Sequence, residues 1–193
     1  MPISAEQEAL ETQRDALEVH RYAAWGLIPE NAYTRIKKLM EALREEFGGP
    51  EIEPHISIVG STLMTEDEAI GAFNGGCNEV EQIRCKVETL ETSRFYFQCV
   101  SLVIEITDDL KEKTRWFAGC MNRPFPCMPH LSLLYGTLTD EEKKRAKEKV
   151  LAMDPTITEL EFIMSRVALY QVNFADRTQK SWVKLREGNL KLS

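Results

Sequence analysis

The sequence predicts an α+β fold of two lobes related by a pseudo-two-fold axis. Mostly antiparallel sheets line a central groove, and helices lie outside. Three observations predict it. One phrase is used twice: Pro54-His55-Ile56-Ser57-Ile58 and Pro129-His130-Leu131-Ser132-Leu133. The segments after the two copies are also alike. Thr65-Glu66-Asp67-Glu68 begins ten residues after His55, and Thr139-Asp140-Glu141-Glu142 nine residues after His130. The two histidines are 75 residues apart, and the same shift carries Trp25 onto Val100, each in an apolar run before a helical pattern. The repeated unit is a strand, a helix, a His strand, a short helix and a strand pair.

Each element follows from local pattern. Ser4 and Gln7 have capping-box spacing, so residues 1–19 read as a short helix or frayed leader. His20 at its end has no partner pattern and reads as a surface side chain. Residues 21–29, with Tyr22-Ala23-Ala24-Trp25-Gly26-Leu27-Ile28, read as a strand ended by Pro29. Tyr33, Ile36, Leu39, Met40, Leu43 and Phe47 recur at three- and four-residue steps, which makes 30–47 an amphipathic helix. Gly48-Gly49-Pro50 stops it. Thr65 and Glu68 open a helix to about Phe73, ended by Gly75-Gly76. Residues 83–90 and 95–106 read as two strands, and 107–120 as a helix. The proline-punctuated loop 122–128 leads to the second His strand. A helix starts at Thr139, with Lys143 to Lys149 as a solvated basic face. Residues 160–172 and 179–185 read as a last pair of strands. The domain so defined spans 21–186, with a leader at 1–20 and a tail at 187–193.

The bulk composition sets the class. The chain has 193 residues, 43% hydrophobic and 28% charged, an ordinary globular balance with room for a core. A net charge of −7 argues against holding long nucleic acid through its phosphates. There is no signal-peptide pattern and no apolar run long enough to span a bilayer, so a cytoplasmic protein without a membrane partner is expected. The five cysteines lack C-x-x-C spacing and read as reduced structural thiols. Cys120 and Cys127 are close enough in sequence to close a loop under oxidising conditions.

The chemistry lies in the repeated phrase. In a strand, residues i and i+2 share a face. His55 therefore shares one with Ser57, and His130 with Ser132, while the isoleucines and leucines face the other way. Two imidazoles with ordinary pKa near about 6.5 suit a reaction that removes one proton and adds another. Hydrolysis of a cyclic phosphodiester is such a reaction. A base activates water on one side of phosphorus, and an acid protonates the leaving ribose oxygen on the other. Two pseudo-symmetric lobes can supply the two sides, and the serines can hold the non-bridging oxygens. No metal is needed. No His-x-His, His-x-x-x-His or cysteine cluster accompanies the pair, so no metal site or cofactor is expected.

The duplicated His-x-Ser motif resembles that of the two-histidine phosphoesterases, the plant- and fungal-type cyclic phosphodiesterases above all. The likeness extends to Trp25-Gly26-Leu27-Ile28-Pro29, to Phe95-Tyr96-Phe97-Gln98-Cys99 and on to Tyr135, and covers about residues 21 to 186. The resemblance implies a metal-free site with His55 and His130 as acid and base and Ser57 and Ser132 as phosphate ligands. It implies aromatic substrate contacts from Trp25 and Tyr135, with Phe97 a weaker candidate. It also implies the opening of ADP-ribose 1″,2″-cyclic phosphate, a by-product of tRNA splicing, to ADP-ribose 1″-phosphate, and of nucleoside 2′,3′-cyclic phosphates to 2′-phosphates. Ser57 stands where relatives often carry threonine, and the leader is longer than expected. The partner expected is thus a small cyclic-phosphate nucleotide, bound by a monomer. Arg123, in the loop before the second motif, is a further candidate to meet an anion. The rival readings are a non-catalytic binder of nucleotide or RNA phosphates and an RNA-end-processing enzyme. Binding alone needs no acid–base pair, which favours the enzyme.

Overall fold

Eight strands form one continuous antiparallel sheet, and its central pair carries both His phrases. The structure, a computed structural model, describes residues 4–7, 9–10, 13, 18–123 and 128–193. Its elements are β1 (Val19–Leu27), α1 (Glu30–Phe47), β2 (His55–Thr65), α2 (Glu66–Glu79), β3 (Ile83–Thr92), β4 (Val100–Ile104), α3 (Asp108–Cys120), β5 (His130–Leu134), α4 (Asp140–Met153), β6 (Glu161–Met164), β7 (Arg166–Val172) and β8 (Val183–Asn189). The strand order is β6-β3-β4-β5-β2-β1-β7-β8. Four strands lie on each side of the β5/β2 seam, so the two expected lobes are halves of a single sheet.

The halves exchange parts. The strand after α2 crosses to pair with β4, and the strand β7, which follows α4, crosses back to pair with β1. The helices exchange too: α1 packs behind β5, and α3 behind β2. Each His strand is therefore backed by a helix from the other half of the chain. The faces sort as the pattern requires. Ile36, Leu39 and Leu43 of α1, Phe73 of α2 and Phe117 of α3 are buried with Ile56, Ile58 and Leu131 in one core on the helical side.

Helix starts are set by side chains. Thr65 and Thr139 each close a capping box with Glu68 and Glu142, and Thr107 accepts from the Leu110 N–H. Such a cap stabilises by about 1 kcal/mol. The Ser4–Gln7 box in the leader is formed in both directions; the rest of that predicted helix lies mostly outside the described residues. Arg35 donates two hydrogen bonds to Asp154 and ties α1 to the end of α4. The basic face of α4 is outward, with Lys149 and Arg145 paired to Glu46 of α1. Cys77, Cys85 and Cys99 are buried thiols, and burial pushes Cys85 up to about 12. Cys127 lies outside the described residues, and with it the loop closure considered for Cys120.

Four expectations are corrected. First, α2 does not end at Gly75-Gly76 but runs through both to Glu79. A Cβ on Gly76 would lie 2.6 Å from the Phe117 ring, so this glycine lets α2 and α3 approach closely. Second, residues 95–106 are not one strand. Tyr96–Gln98 is a 3₁₀ turn, and pairing begins at Val100. The Ser93 hydroxyl donates to the Gln98 carbonyl and accepts from the Phe95 N–H, which closes the turn locally. Third, the apolar run 160–172 is broken at Ser165 into β6 and β7, which pair with opposite halves of the sheet. Fourth, β8 starts later than residue 179 and continues to Asn189; Lys191 then bonds the backbone of Val80 and Gln82. The chain is thus part of the fold beyond residue 186.

The two neighbouring glycines of α2 give a stability test. A methyl group on Gly75 would have nothing within 4 Å, whereas one on Gly76 would meet Phe117. Gly75→Ala should raise stability by about 0.5–1 kcal/mol through helix propensity. Gly76→Ala should lower it by about 1–3 kcal/mol through overpacking. Urea unfolding midpoints read both.

Candidate active site

The seam between β2 and β5 makes the site. Ile56 lies opposite Leu131 in the antiparallel register. Directly opposed residues share a face, and alternation then sends His55, Ser57, His130 and Ser132 to the other one. The helical core holds Ile56 and Leu131 at 1% and 0% exposure, so the opposite face must carry the two histidines and two serines. The pairing of one apolar pair thus brings together two His-x-Ser pairs that are 75 residues apart in sequence.

Both imidazoles are held alike. His55 Nδ1 lies 2.6 Å from the Glu53 carbonyl, and His130 Nδ1 lies 2.8 Å from the Met128 carbonyl. A carbonyl can only accept, so each Nδ1 carries the proton and Nε2 remains for the groove. The prolines of the phrase explain this geometry. Pro54 and Pro129 restrict Glu53 and Met128 to extended backbone, which aims each carbonyl at the ring two residues on.

The electrostatics are unequal. His55 is 6% exposed and His130 is half-buried. Burial holds His55 down to about 4, against the pull of the Glu53 carbonyl, and the charge of His130 lowers it further. Burial also lowers His130, opposed by the Met128 carbonyl.

Around them the expected residues take distinct places. Ser132 Oγ donates to the Phe97 carbonyl at 2.8 Å, which ties the second motif to the aromatic turn. Ser57 is half-buried opposite Trp25. Trp25 stands beside His55, as a covered ring. One face stacks on His55 at 3.7 Å between centroids and 8° between planes, and the other on Tyr170 at 3.9 Å and 25°. Both faces of the indole are thus covered by rings of the protein itself. Tyr135 is 4% exposed behind Phe97, whose ring it meets edge-on at 5.2 Å, and burial pushes its hydroxyl upward. Arg123 is exposed and its backbone N–H bonds the Ala118 carbonyl of α3. His20 is partly exposed, 3.5 Å from Glu18.

Sequence reasoning missed the β7–β8 loop. Trp182 lies 5.8 Å from Trp25 and 5.9 Å from Phe97, and Phe174 lies 5.4 Å from Phe97. Arg177 sits 4.5 Å over the Tyr96 ring and its carbonyl accepts from the Tyr96 hydroxyl. The loop from one half of the sheet thus rests on the aromatic turn of the other and walls the groove with rings. Tyr170 was missed as well. Its strand is legible in the sequence, but alternation does not say which neighbour it will face.

Among the described residues, no group of three His, Cys, Asp or Glu side chains is placed to hold a metal ion. Nor, among them, is any helix long and apolar enough to cross a membrane. What the arrangement offers is proton transfer: two Nε2 atoms and two hydroxyls on one face of a rigid seam.

No family model matches the chain. A cyclic phosphodiesterase of Arabidopsis thaliana is 39% identical over 171 residues, 88% of this chain and 94% of the relative. Among solved structures, LigT of E. coli, crystallised with ATP, superposes with a TM-score of 0.58 at 12% identity, covering 90% of this chain and 99% of that one. TT0787 of Thermus thermophilus superposes at 0.52, with 12% identity and the same coverage. The structural likenesses show the fold, and the sequence likeness, spanning nearly the whole of both chains, carries the activity. The chain belongs to the two-histidine phosphoesterases and is a cyclic phosphodiesterase.

Proposed function

We propose that His55 and His130 act as the acid–base pair of a hydrolysis that needs no metal, on ADP-ribose 1″,2″-cyclic phosphate and nucleoside 2′,3′-cyclic phosphates. The observation that carries this reading is the matched Nδ1 anchoring of the two rings across the seam. One neutral Nε2 takes a proton from water as the water oxygen bonds to phosphorus. The other ring, protonated, gives its Nε2 proton to the ribose oxygen as that P–O bond breaks. The products are a phosphomonoester and a free hydroxyl, and the two rings have exchanged protonation states. Ser57 and Ser132 donate to the non-bridging oxygens; Ser132 does so by turning its hydroxyl from the Phe97 carbonyl. Such oriented donors are worth about 10²–10³ in kcat each. The aromatic wall of Phe97, Phe174 and Trp182 supports a substrate with a flat base, and the net charge of −7 supports a small anion over a long strand.

Steady-state hydrolysis in EDTA tests the reading. ADP-ribose 1″,2″-cyclic phosphate should yield the 1″-phosphate, and each of the four nucleoside 2′,3′-cyclic phosphates the 2′-phosphate, by phosphorus NMR of the products. A requirement for divalent metal would overturn the metal-free mechanism. A 3′-phosphate product would overturn the assignment of the leaving oxygen.

The pH profile follows from the two depressed imidazoles. The reactive free enzyme holds one proton on the pair. Since His55 is held down to about 4 and His130 lies below its ordinary value, that state is most populated below about pH 6.5. Raising the pH through this window removes the acid. We expect kcat/KM to peak on the acid side of about pH 6.5 and to fall toward neutrality. A bound phosphodiester anion favours imidazolium, so kcat should peak at higher pH. A kcat/KM that climbs between about pH 6.5 and about pH 8 would contradict the burial of the pair.

A further inference from the structure

The two histidines share their backbone anchors but not their side-chain surroundings. Trp25 lies opposite Ser57, and in the other half Ser101 lies opposite Ser132. These are matching positions under the pseudo-two-fold. One half therefore sets an indole beside its histidine where the other sets a small hydroxyl. The indole is itself backed: His55, Trp25 and Tyr170 form one continuous stack, with centroid steps of 3.7 Å and 3.9 Å. Tyr170 reaches this place from β7, where it is paired opposite Ala23. Trp25 lies between it and His55.

We infer that Trp25 and Tyr170 are positioning residues for His55, a stack that fixes its ring plane and gives its protonated form an aromatic partner that, among the described residues, His130 lacks. Two physical effects follow. An imidazole held at Nδ1 by a single hydrogen bond can still rotate about that bond; a flat ring at van der Waals distance removes this freedom and fixes the direction of Nε2. An indole face also attracts a cation through its quadrupole, most strongly where water is excluded. The stack thus opposes the burial that favours neutral His55. Among the described residues, the other groups that face this site are few. His130 on β5 adds a like charge, and Glu53 supplies its carbonyl to Nδ1. Burial, with the carboxylates of Glu53 and of Glu187 on β8, raises the Tyr170 hydroxyl to about 12, so Tyr170 stays neutral through the working range.

The inference rests on the two-histidine reading and makes a different prediction from a substrate contact. A ring that stacks on the substrate contributes to binding, and its loss raises KM. A ring that orients the acid or base contributes to the chemical step, and its loss lowers kcat. The experiment compares Trp25→Leu, Trp25→Phe, Tyr170→Leu and Tyr170→Phe on a nucleoside 2′,3′-cyclic phosphate. Tyr170→Leu should lower kcat about tenfold, with KM within about twofold. Tyr170→Phe keeps the ring and should match the wild type. Trp25→Phe should retain more kcat than Trp25→Leu. In Trp25→Leu, one limb of the kcat/KM profile should move to lower pH by about half a unit to one unit while the other stays, because leucine excludes water but offers no aromatic face. A Tyr170→Leu enzyme with unchanged kcat, or Trp25 variants that raise KM alone, would overturn the inference. His55→Ala run alongside separates the two ideas. If it turns over like the wild type, the two-histidine reading itself fails; if it is dead while Tyr170→Leu is unaffected, the stack alone is at fault.

Discussion

The structure depends on one apolar pairing at its centre. Ile56 and Leu131, both buried, face each other across the β2–β5 seam. Their burial holds the two four-strand halves in one sheet, and the same register fixes which side chains point into the groove. A one-residue slip of either strand at this seam would send its histidine into the helical core and bring its Ile56 or Leu131 out to water. The cost of exposing such side chains, about 1.5–3 kcal/mol each, specifies the position of the two histidines more firmly than any contact they make themselves. The exchanged helices strengthen this: α1 behind β5 and α3 behind β2 make each His strand a part of both halves.

On this symmetric frame the site is asymmetric where chemistry needs difference. The anchors at Nδ1 are equivalent, whereas burial is greater at His55 and the indole stack is there alone of the two. The proposed hydrolysis needs one ring neutral and one charged at the same moment. Two rings in identical surroundings would share the proton evenly. Unequal burial favours the proton on half-exposed His130, and the aromatic face beside His55 opposes it. The β7–β8 loop adds a second asymmetry. Trp182, Phe174 and Arg177 reach across to Tyr96 and Phe97, so the groove is walled on that side by both halves of the chain.

Much of this is legible in the sequence. The repeated phrase identifies His55, Ser57, His130 and Ser132, because period-two alternation in a short strand is enough to place them on one face. The capping pairs Thr65–Glu68 and Thr139–Glu142 mark two helix starts correctly, since those bonds are local. Pairing between distant segments is not legible. Gly76 reads as a helix stop in sequence and is a helix–helix contact in space, because Phe117 approaches it from α3. The run 160–172 reads as one strand, yet it changes sides of the sheet at Ser165. Trp25 is placed at the site by its motif, but the role of its ring turns on Tyr170, whose register against β1 no local pattern encodes.

The central claim is that the two histidines serve opposite sides of phosphorus in a single displacement by water. Stereochemistry at phosphorus tests it most directly. One diastereomer of adenosine 2′,3′-cyclic phosphorothioate would be hydrolysed in ¹⁸O-labelled water, and the configuration of the chiral product determined. A direct in-line attack opposite the leaving ribose oxygen predicts inversion. Retention would mean either a covalent intermediate or attack from the leaving-group side, and would contradict the account.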